Sequence, residues 1–78
     1  VLEASKPAEA GYFVSPWLLE GDPGNVCFRE EIFGPAAFLT KFKSEGQAVE
    51  MIHSVDYGLA NSVWTRDLAK ANRFAEDM

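Results

Sequence analysis

The run EEIFGP at residues 30–35 constrains the fold of this chain more than any other feature. Proline lacks an amide hydrogen and fixes its own φ, so Gly34 and Pro35 predict a chain reversal, with the glycine at a positive φ. Because alternate residues of an extended segment point the same way, we expect Glu31 and Phe33 to share one face. A carboxylate beside an aromatic ring suits a ligand with hydroxyls at one end and a flat ring at the other. The competing interpretation is an acidic turn with one buried Phe.

The chain is short and strongly apolar for its length. It has 78 residues, of which 47% are hydrophobic, with two Trp and six Phe. A core of this size is marginal without disulfides, a metal or a partner surface. We therefore expect its elements to pack against protein outside this chain. The chain starts at Val1 and stops at Met78 inside a helical pattern, so we also expect a piece of a longer protein.

Charge and residue usage argue against several functions. The net charge is −5, with twelve acidic against seven basic residues and no basic block, so we expect neither nucleic acid nor a membrane surface as a partner. No apolar run approaches the ~18–20 residues that span a bilayer. The single Cys27 has no second cysteine to pair with, which favours a reducing, cytoplasmic location. One His and one Cys leave no credible zinc site.

Segments rich in aromatic and aliphatic residues predict strands at residues 12–19, 36–42 and 59–64. Within the first of them, Pro16 favours an edge position or a bulge. Residues 20–25 carry a dense turn signal, and residues 26–33 are interpreted as a short segment leading to the EEIFGP run. Residues 1–10 have no clear period and predict a loop or the end of an element outside the chain.

Two segments predict helices. Ser44 and Gln47 match a capping box, and Gly58 ends the segment that follows. The apolar face of this helix comprises Ala48, Met51, Ile52 and Val55. Thr65 or Asp67 is predicted to cap a last helix. Its predicted apolar stripe comprises Leu68, Ala71, Ala75 and Met78. Strand, helix, strand, helix in this order predicts an α/β fold with a right-handed crossover and a partly parallel sheet.

Three blocks, in this order and at these separations, resemble the NAD(P)-dependent aldehyde dehydrogenase superfamily: GYFVSP at residues 11–16, EEIFGP at residues 30–35 and DYGLANSVWTRD at residues 56–67. Members of that family are several hundred residues long. The resemblance therefore implies that residues 1–78 are a single partial domain, the C-terminal part of a catalytic domain. It further implies that the rest of the parent enzyme is a partner of this segment and that the parent is a homo-oligomer.

The resemblance also implies roles for two residues of the EEIFGP run. Glu31 matches the second Glu of the family motif, whose carboxylate accepts hydrogen bonds from the hydroxyls of the nicotinamide ribose. Phe33 matches the aromatic residue that packs near the nicotinamide, with a plain core Phe as the alternative. Glu30 is expected to have a structural or exposed role. The implied cofactor is NAD or NADP, and the implied reaction oxidises a small-molecule aldehyde to a carboxylic acid through a cysteine thiohemiacetal.

No residue of the chain is predicted to be catalytic. The family's nucleophilic cysteine lies further upstream in a different, glycine-rich motif, which this chain lacks together with the general-base glutamate and most of the dinucleotide-binding domain. Cys27 is therefore interpreted as a small buried hydrophobic residue, and His53 as a packed or surface residue. We expect the isolated chain to be inactive. The alternative to an enzyme fragment is a noncatalytic binding or interaction module that retains the family pattern.

Overall fold

The computed structural model describes residues 1–4 and 10–78 of the chain, which form two compact units, Val1–Lys41 and Phe42–Met78. The first unit contains a three-stranded sheet and a short helix, and the second contains two helices. The predicted α/β class is confirmed, although the observed order is strand, strand, helix, strand, helix, helix and not the predicted alternation.

The sheet of the first unit joins strands β1 (Leu2–Glu3), β2 (Trp17–Glu20) and β3 (Ala36–Leu39), in that order. Strand β1 pairs antiparallel with β2, whereas β3 runs parallel to β2. The predicted partly parallel sheet is confirmed. Strand β1 replaces the start of the loop predicted over residues 1–10, and residues 5–9 of that prediction lie outside the described residues.

Strand β2 begins at Trp17, later than the predicted residue 12, because Pro16 precedes it. Proline cannot donate to a ladder. Its carbonyl oxygen instead accepts a hydrogen bond from the amide of Ala4 at 3.0 Å, which continues the antiparallel pairing on that side. Upstream, Gly11 has a φ of 108°, a conformation that favours glycine, and it turns the chain before the strand.

A short helix, α1 (Val26–Arg29), lies where the sequence predicted only a connecting segment. The side chain of Asn25 forms its N-cap, since Oδ1 accepts a hydrogen bond from the amide of Cys27 at 2.9 Å. A cap of this kind stabilises a helix by about 1 kcal/mol. The helix lies between the parallel strands β2 and β3, so it is the crossover element of the sheet.

The second unit begins with helix α2 (Glu45–His53), as predicted. Ser44 is its N-cap, because its Oγ accepts a hydrogen bond from the amide of Gln47 at 3.2 Å. The return bond of the capping box differs from the expected one. Gln47 Oε1 accepts from the amide of Lys43 at 2.6 Å, one residue before the cap. The predicted apolar face is confirmed at three positions, since Ala48 is buried and Met51 and Ile52 are half-buried. The helix ends at His53, well before the predicted stop at Gly58, so the half-buried Val55 lies beyond it.

Helix α3 (Leu68–Asp77) is also confirmed, and its cap resolves the choice between two candidates. Asp67 is the N-cap, with Oδ1 accepting from the amide of Lys70 at 3.2 Å, while Thr65 Oγ1 accepts from the amide of Asp67 at 3.1 Å. The predicted apolar stripe was wrong at two positions, because Leu68 and Ala75 are exposed. The half-buried apolar stripe of α3 comprises Ala71, Phe74 and Met78.

The strand predicted over residues 59–64 was wrong. This segment has no regular secondary structure, and the strand pairing among the described residues is confined to β1, β2 and β3. A β-strand is stabilised through its hydrogen-bonded neighbours. An apolar, β-prone sequence without a paired neighbour therefore stays irregular, with Leu59 and Trp64 exposed.

Ion pairs and a hydrogen bond join α2 to α3. At one end, Glu45 contacts both Lys70, with Nζ 3.2 Å from Oε1, and Arg73, with a guanidinium nitrogen 3.3 Å from Oε2. At the other end, His53 Nε2 lies 2.6 Å from the backbone carbonyl oxygen of Asp77. The hydrogen bond from Lys70, assisted by Arg73, lowers the pKa of the Glu45 carboxyl and outweighs the opposing effect of partial burial.

Replacing Glu45 with Gln should lower the melting temperature of the parent protein slightly at neutral pH. A lowered pKa means that the folded state favours the ionised carboxylate, so its stabilisation is present at neutral pH and is lost as the pH falls through that lowered pKa. The effect is small because the three side chains are partly exposed to solvent. Thermal melts from neutral pH to below that pKa should show the melting temperatures of the two proteins converging. Glu50→Gln, at an exposed position of α2, is the control, and an equal shift for both variants would contradict the prediction.

The apolar surface of the chain is largely uncovered. Among the described residues, Ala48 is the only buried hydrophobic residue, at 7% exposure. Four large side chains are more than nine-tenths exposed: Tyr12, Phe33, Leu59 and Trp64. Each Å² of apolar surface removed from water stabilises the folded state by about 25 cal/mol, and this is the main term that offsets the loss of chain entropy. Because few apolar side chains are buried, this chain gains little of that stabilisation.

We therefore expect the 78-residue chain to fold poorly as an isolated monomer. Thermal unfolding followed by circular dichroism should show a broad, weakly cooperative transition, and the amide spectrum should be narrowly dispersed. A sharp melt together with a well-dispersed spectrum, from a sample shown to be monomeric, would contradict this expectation.

No helix among residues 1–4 and 10–78 has both the length and the apolar character needed to cross a membrane.

Candidate cofactor-contact site

The predicted site residues lie on one connection, residues 30–35, which joins α1 to β3. The helix ends where the amide of Glu30 donates to the carbonyl of Val26 at 2.9 Å, and Glu30 itself is already extended, with φ −107° and ψ 143°. The chain then continues without regular structure as far as Ala36, the first residue of β3. The side chains of Glu31 and Phe33 therefore project from an irregular segment held between a helix end and a strand start.

The end of this connection is fixed by backbone hydrogen bonds to the sheet. The carbonyl of Pro35 accepts from the amide of Trp17 at 2.8 Å, and the carbonyl of Gly34 accepts from the amide of Ala36 at 2.8 Å. Proline restricts the backbone further through its own φ. The Gly-Pro pair thus attaches the connection to the first residue of β2.

Both predicted contact residues are accessible. Glu31 is exposed, and the ring of Phe33 is 91% exposed, whereas Ile32 between them is only 39% exposed. An exposed, flat aromatic ring two residues from a carboxylate has the chemistry to contact a ring and a sugar hydroxyl. Phe33 is thus no core residue among the described residues, and its contact with a nicotinamide stays a prediction.

The expected torsion at Gly34 was wrong. Among the described residues, Gly11 is the only glycine with a positive φ. A Cβ placed on Gly34 would meet no atom within 4 Å, so this chain tolerates a side chain there. The turn is set by the ring of Pro35 and the hydrogen bonds around it, and it does not require a left-handed glycine.

Cys27 lies on α1 and is half-buried, so the prediction of a buried residue was wrong. Its amide is used by the Asn25 cap, at 2.9 Å. His53 is exposed at the end of α2, as expected for a surface residue. Within the part of the chain that the structure describes, no three His, Cys, Asp or Glu residues are grouped as metal ligands.

A ring contact that the sequence did not predict joins α1 to β3. Phe28 of α1 packs edge-on against Phe38 of β3, with ring centroids 5.8 Å apart and planes at 72°. This arrangement is one that aromatic pairs prefer. Asn25, which follows the Asp-Pro-Gly turn, was the available signal for α1, because Asn is a favoured N-cap residue. No sequence signal pairs two Phe residues that lie on different elements.

The residues of the connection are compatible with a nicotinamide nucleotide. A carboxylate accepts hydrogen bonds from sugar hydroxyls, and such charge-assisted bonds are stronger than neutral ones. An exposed ring offers a flat apolar surface to a second ring. Glu31 and Phe33 supply one group of each kind within three residues of chain.

Comparisons with known proteins agree with the residue patterns. The chain is 44% identical over 64 residues to an acetaldehyde dehydrogenase of Pseudomonas aeruginosa, covering 82% of this chain and 13% of that protein. It is 42% identical over 66 residues to an aldehyde dehydrogenase of Rhodospirillum rubrum, covering 85% of this chain and 13% of that protein. It is 48% identical over 58 residues to an NADP/NAD-dependent aldehyde dehydrogenase of Escherichia coli, covering 74% of this chain and 12% of that protein. No solved structure matches.

The chain spans about 13% of the length of the curated relatives it matches. The model of the aldehyde dehydrogenase family matches residues 2–78, nearly the whole chain. The chain belongs to the aldehyde dehydrogenase family.

Proposed function

We propose that this chain is the segment of an aldehyde dehydrogenase catalytic domain that contacts the nicotinamide ribose. The observation that carries the proposal is the connection at residues 30–35, which presents Glu31 and Phe33 to solvent while Pro35 is bonded to the sheet. Membership of the family and the full EEIFGP run support it. Both compact units are proposed to belong to one catalytic domain of the parent protein.

In this proposal, the parent oxidises an aldehyde to a carboxylic acid. When bound, a nicotinamide cofactor would accept the hydride that the aldehyde carbon loses, and water would supply the second oxygen of the acid. Glu31 accepts hydrogen bonds from the ribose hydroxyls, which fixes the orientation of the sugar, and Phe33 restricts the adjoining ring. Orientation matters because a poorly held reactant loses much of the advantage of proximity. The nucleophilic cysteine belongs to the part of the parent outside this chain.

The proposed cofactor and oligomeric state of the parent follow from the family resemblance. Either NAD or NADP is proposed as cofactor, which agrees with the name of the Escherichia coli relative. A cytoplasmic homo-oligomer is proposed for the parent, and the single Cys27 fits that location. Neither nucleic acid nor a membrane is proposed as a partner, in line with the net charge of −5.

The proposal is tested on the full-length parent. Purified protein is supplied with a short-chain aldehyde and either NAD+ or NADP+, and reduced cofactor and carboxylic acid are measured together. One-to-one formation of the two products supports the proposal. A parent that binds a ligand but forms neither product would instead be the noncatalytic module that retains the family pattern.

A further inference from the structure

The position of Glu31 depends on how α1 is held. The connection that carries Glu31 starts at the end of this helix, and Glu31 follows Arg29, the last helical residue, by two positions. At its other end the connection is bonded to β2 through Pro35. Any pivot of α1 relative to the sheet is therefore transmitted to the start of the connection, where Glu31 lies.

Helix α1 is too short to hold its own position. It has four residues, and isolated helices are marginal below ~12–15 residues. The Asn25 cap fixes its first turn locally, through the bond to the amide of Cys27. The ring of Phe28, packed edge-on against Phe38 at 5.8 Å, ties the helix to the sheet.

Phe38 has a second neighbour, Gly21. A Cβ placed on Gly21 would lie 3.2 Å from Phe38 Cζ, so the ring lies close to the backbone at Gly21. The amide of Gly21 donates to the carbonyl of Leu39 at 3.2 Å, which holds that backbone beside β3. The ring of Phe38 therefore contacts Phe28 on one element and lies close to Gly21 at the end of β2.

We propose that Phe28 is a positioning residue, which acts through the Phe28–Phe38 ring pair to hold α1 on the sheet and so to aim the Glu31 carboxylate at the cofactor. The inference rests on the proposed contact between Glu31 and the nicotinamide ribose. Phe28 itself touches no ligand in this account. Its effect on cofactor binding passes through Glu31.

The test uses the full-length parent and a fluorescence titration with NAD+ or NADP+, whichever it binds. Phe28→Leu keeps an apolar side chain but removes the ring edge, and the cofactor Kd should rise about 3- to 10-fold, the range that an aromatic pair supports. Phe28→Tyr keeps the ring and should restore the original Kd within about 2-fold. Val26→Ala, at an exposed position of the same helix, is the matched control and should leave the Kd unchanged.

A double-mutant cycle decides whether Phe28 acts through Glu31. In the Glu31→Ala background, Phe28→Leu should change the Kd by less than about 2-fold, because the acceptor to be positioned is gone. An equal loss in both backgrounds, or no loss from Phe28→Leu alone, would overturn the inference and leave the ribose contact standing. If Glu31→Gln alone has no effect on the Kd, the ribose contact itself fails.

A second variant keeps the inference testable if Phe28→Leu does not fold. Gly21→Ala places a methyl group 3.2 Å from Phe38 Cζ, close enough that the ring must shift by a few tenths of an ångström, and 3.5 Å from the side chain of Asn25, which caps α1. It should raise the cofactor Kd in the same direction, again only while Glu31 is present. An unchanged Kd in a Gly21→Ala protein that melts at the original temperature would overturn the inference.

Discussion

Replacing Glu31 with Gln in the full-length parent should weaken cofactor binding about 5- to 30-fold. The substitution retains the shape of the side chain and an oxygen acceptor but removes the charge. A charge-assisted bond exceeds a neutral one by roughly 1–2 kcal/mol, which corresponds to that loss of affinity. Turnover should fall as well, because a loosely held ribose costs most when the hydride is transferred. Cofactor titration and steady-state kinetics measure both effects.

Glu30→Gln is the matched control, since it makes the same change one residue earlier. Glu30 is the C-cap of α1, and its backbone amide closes the helix, so its contribution is expected to be structural. A primary isotope effect with deuterated aldehyde should grow for Glu31→Gln and stay constant for Glu30→Gln. Equal and small effects from the two substitutions would reduce the EEIFGP run to a structural turn.

The 78-residue chain alone should catalyse no aldehyde oxidation, however long it is incubated with aldehyde and NAD+ or NADP+. Cys27 is half-buried on a four-residue helix, and no motif around it matches the family nucleophile. Absorbance at the wavelength of the reduced cofactor measures the reaction.

Cys27→Ser provides the discriminating control for this expectation. Reduced cofactor formed by the purified chain and abolished by Cys27→Ser would make Cys27 catalytic and contradict the account. Activity that persists in Cys27→Ser would instead point to a contaminating enzyme. The expected result is the same flat baseline for both proteins.

The two long helices were predictable because their signals are local. Ser44 and Asp67 cap α2 and α3, because their side chains accept hydrogen bonds from the amides three residues ahead. Such caps involve only a few consecutive residues, so they can be recognised in the sequence. The apolar stripe of α3 was less predictable. Phe74 lies on it while Leu68 does not, and that choice depends on the packing partner and not on the helix alone.

The strands were less predictable because a strand is defined by its neighbours. Residues 59–64 have a suitable composition but no strand beside them, so they remain irregular. Leu2 and Glu3 have no strand signal of their own, and they form β1 because Leu18 and Trp17 lie opposite them. In both segments, pairing with a distant strand decides whether a strand forms, and the sequence of the segment alone does not reveal that partner.

The candidate site also has one part that the local sequence predicted and one part that it did not. Glu31 and Phe33 were identified from the EEIFGP run and its family resemblance, and the structure shows that both are exposed on one connection. The ring contact between α1 and β3 was not predictable. It joins Phe28 to Phe38, which lie on different elements.

The most direct test of the central claim is a crystal structure of the full-length parent with its nicotinamide cofactor bound. We expect a Glu31 carboxylate oxygen within about 2.5–3.0 Å of a hydroxyl of the nicotinamide ribose, with the Phe33 ring beside the nicotinamide. A bound cofactor whose ribose hydroxyls contact other residues, with Glu31 turned to solvent, would contradict it.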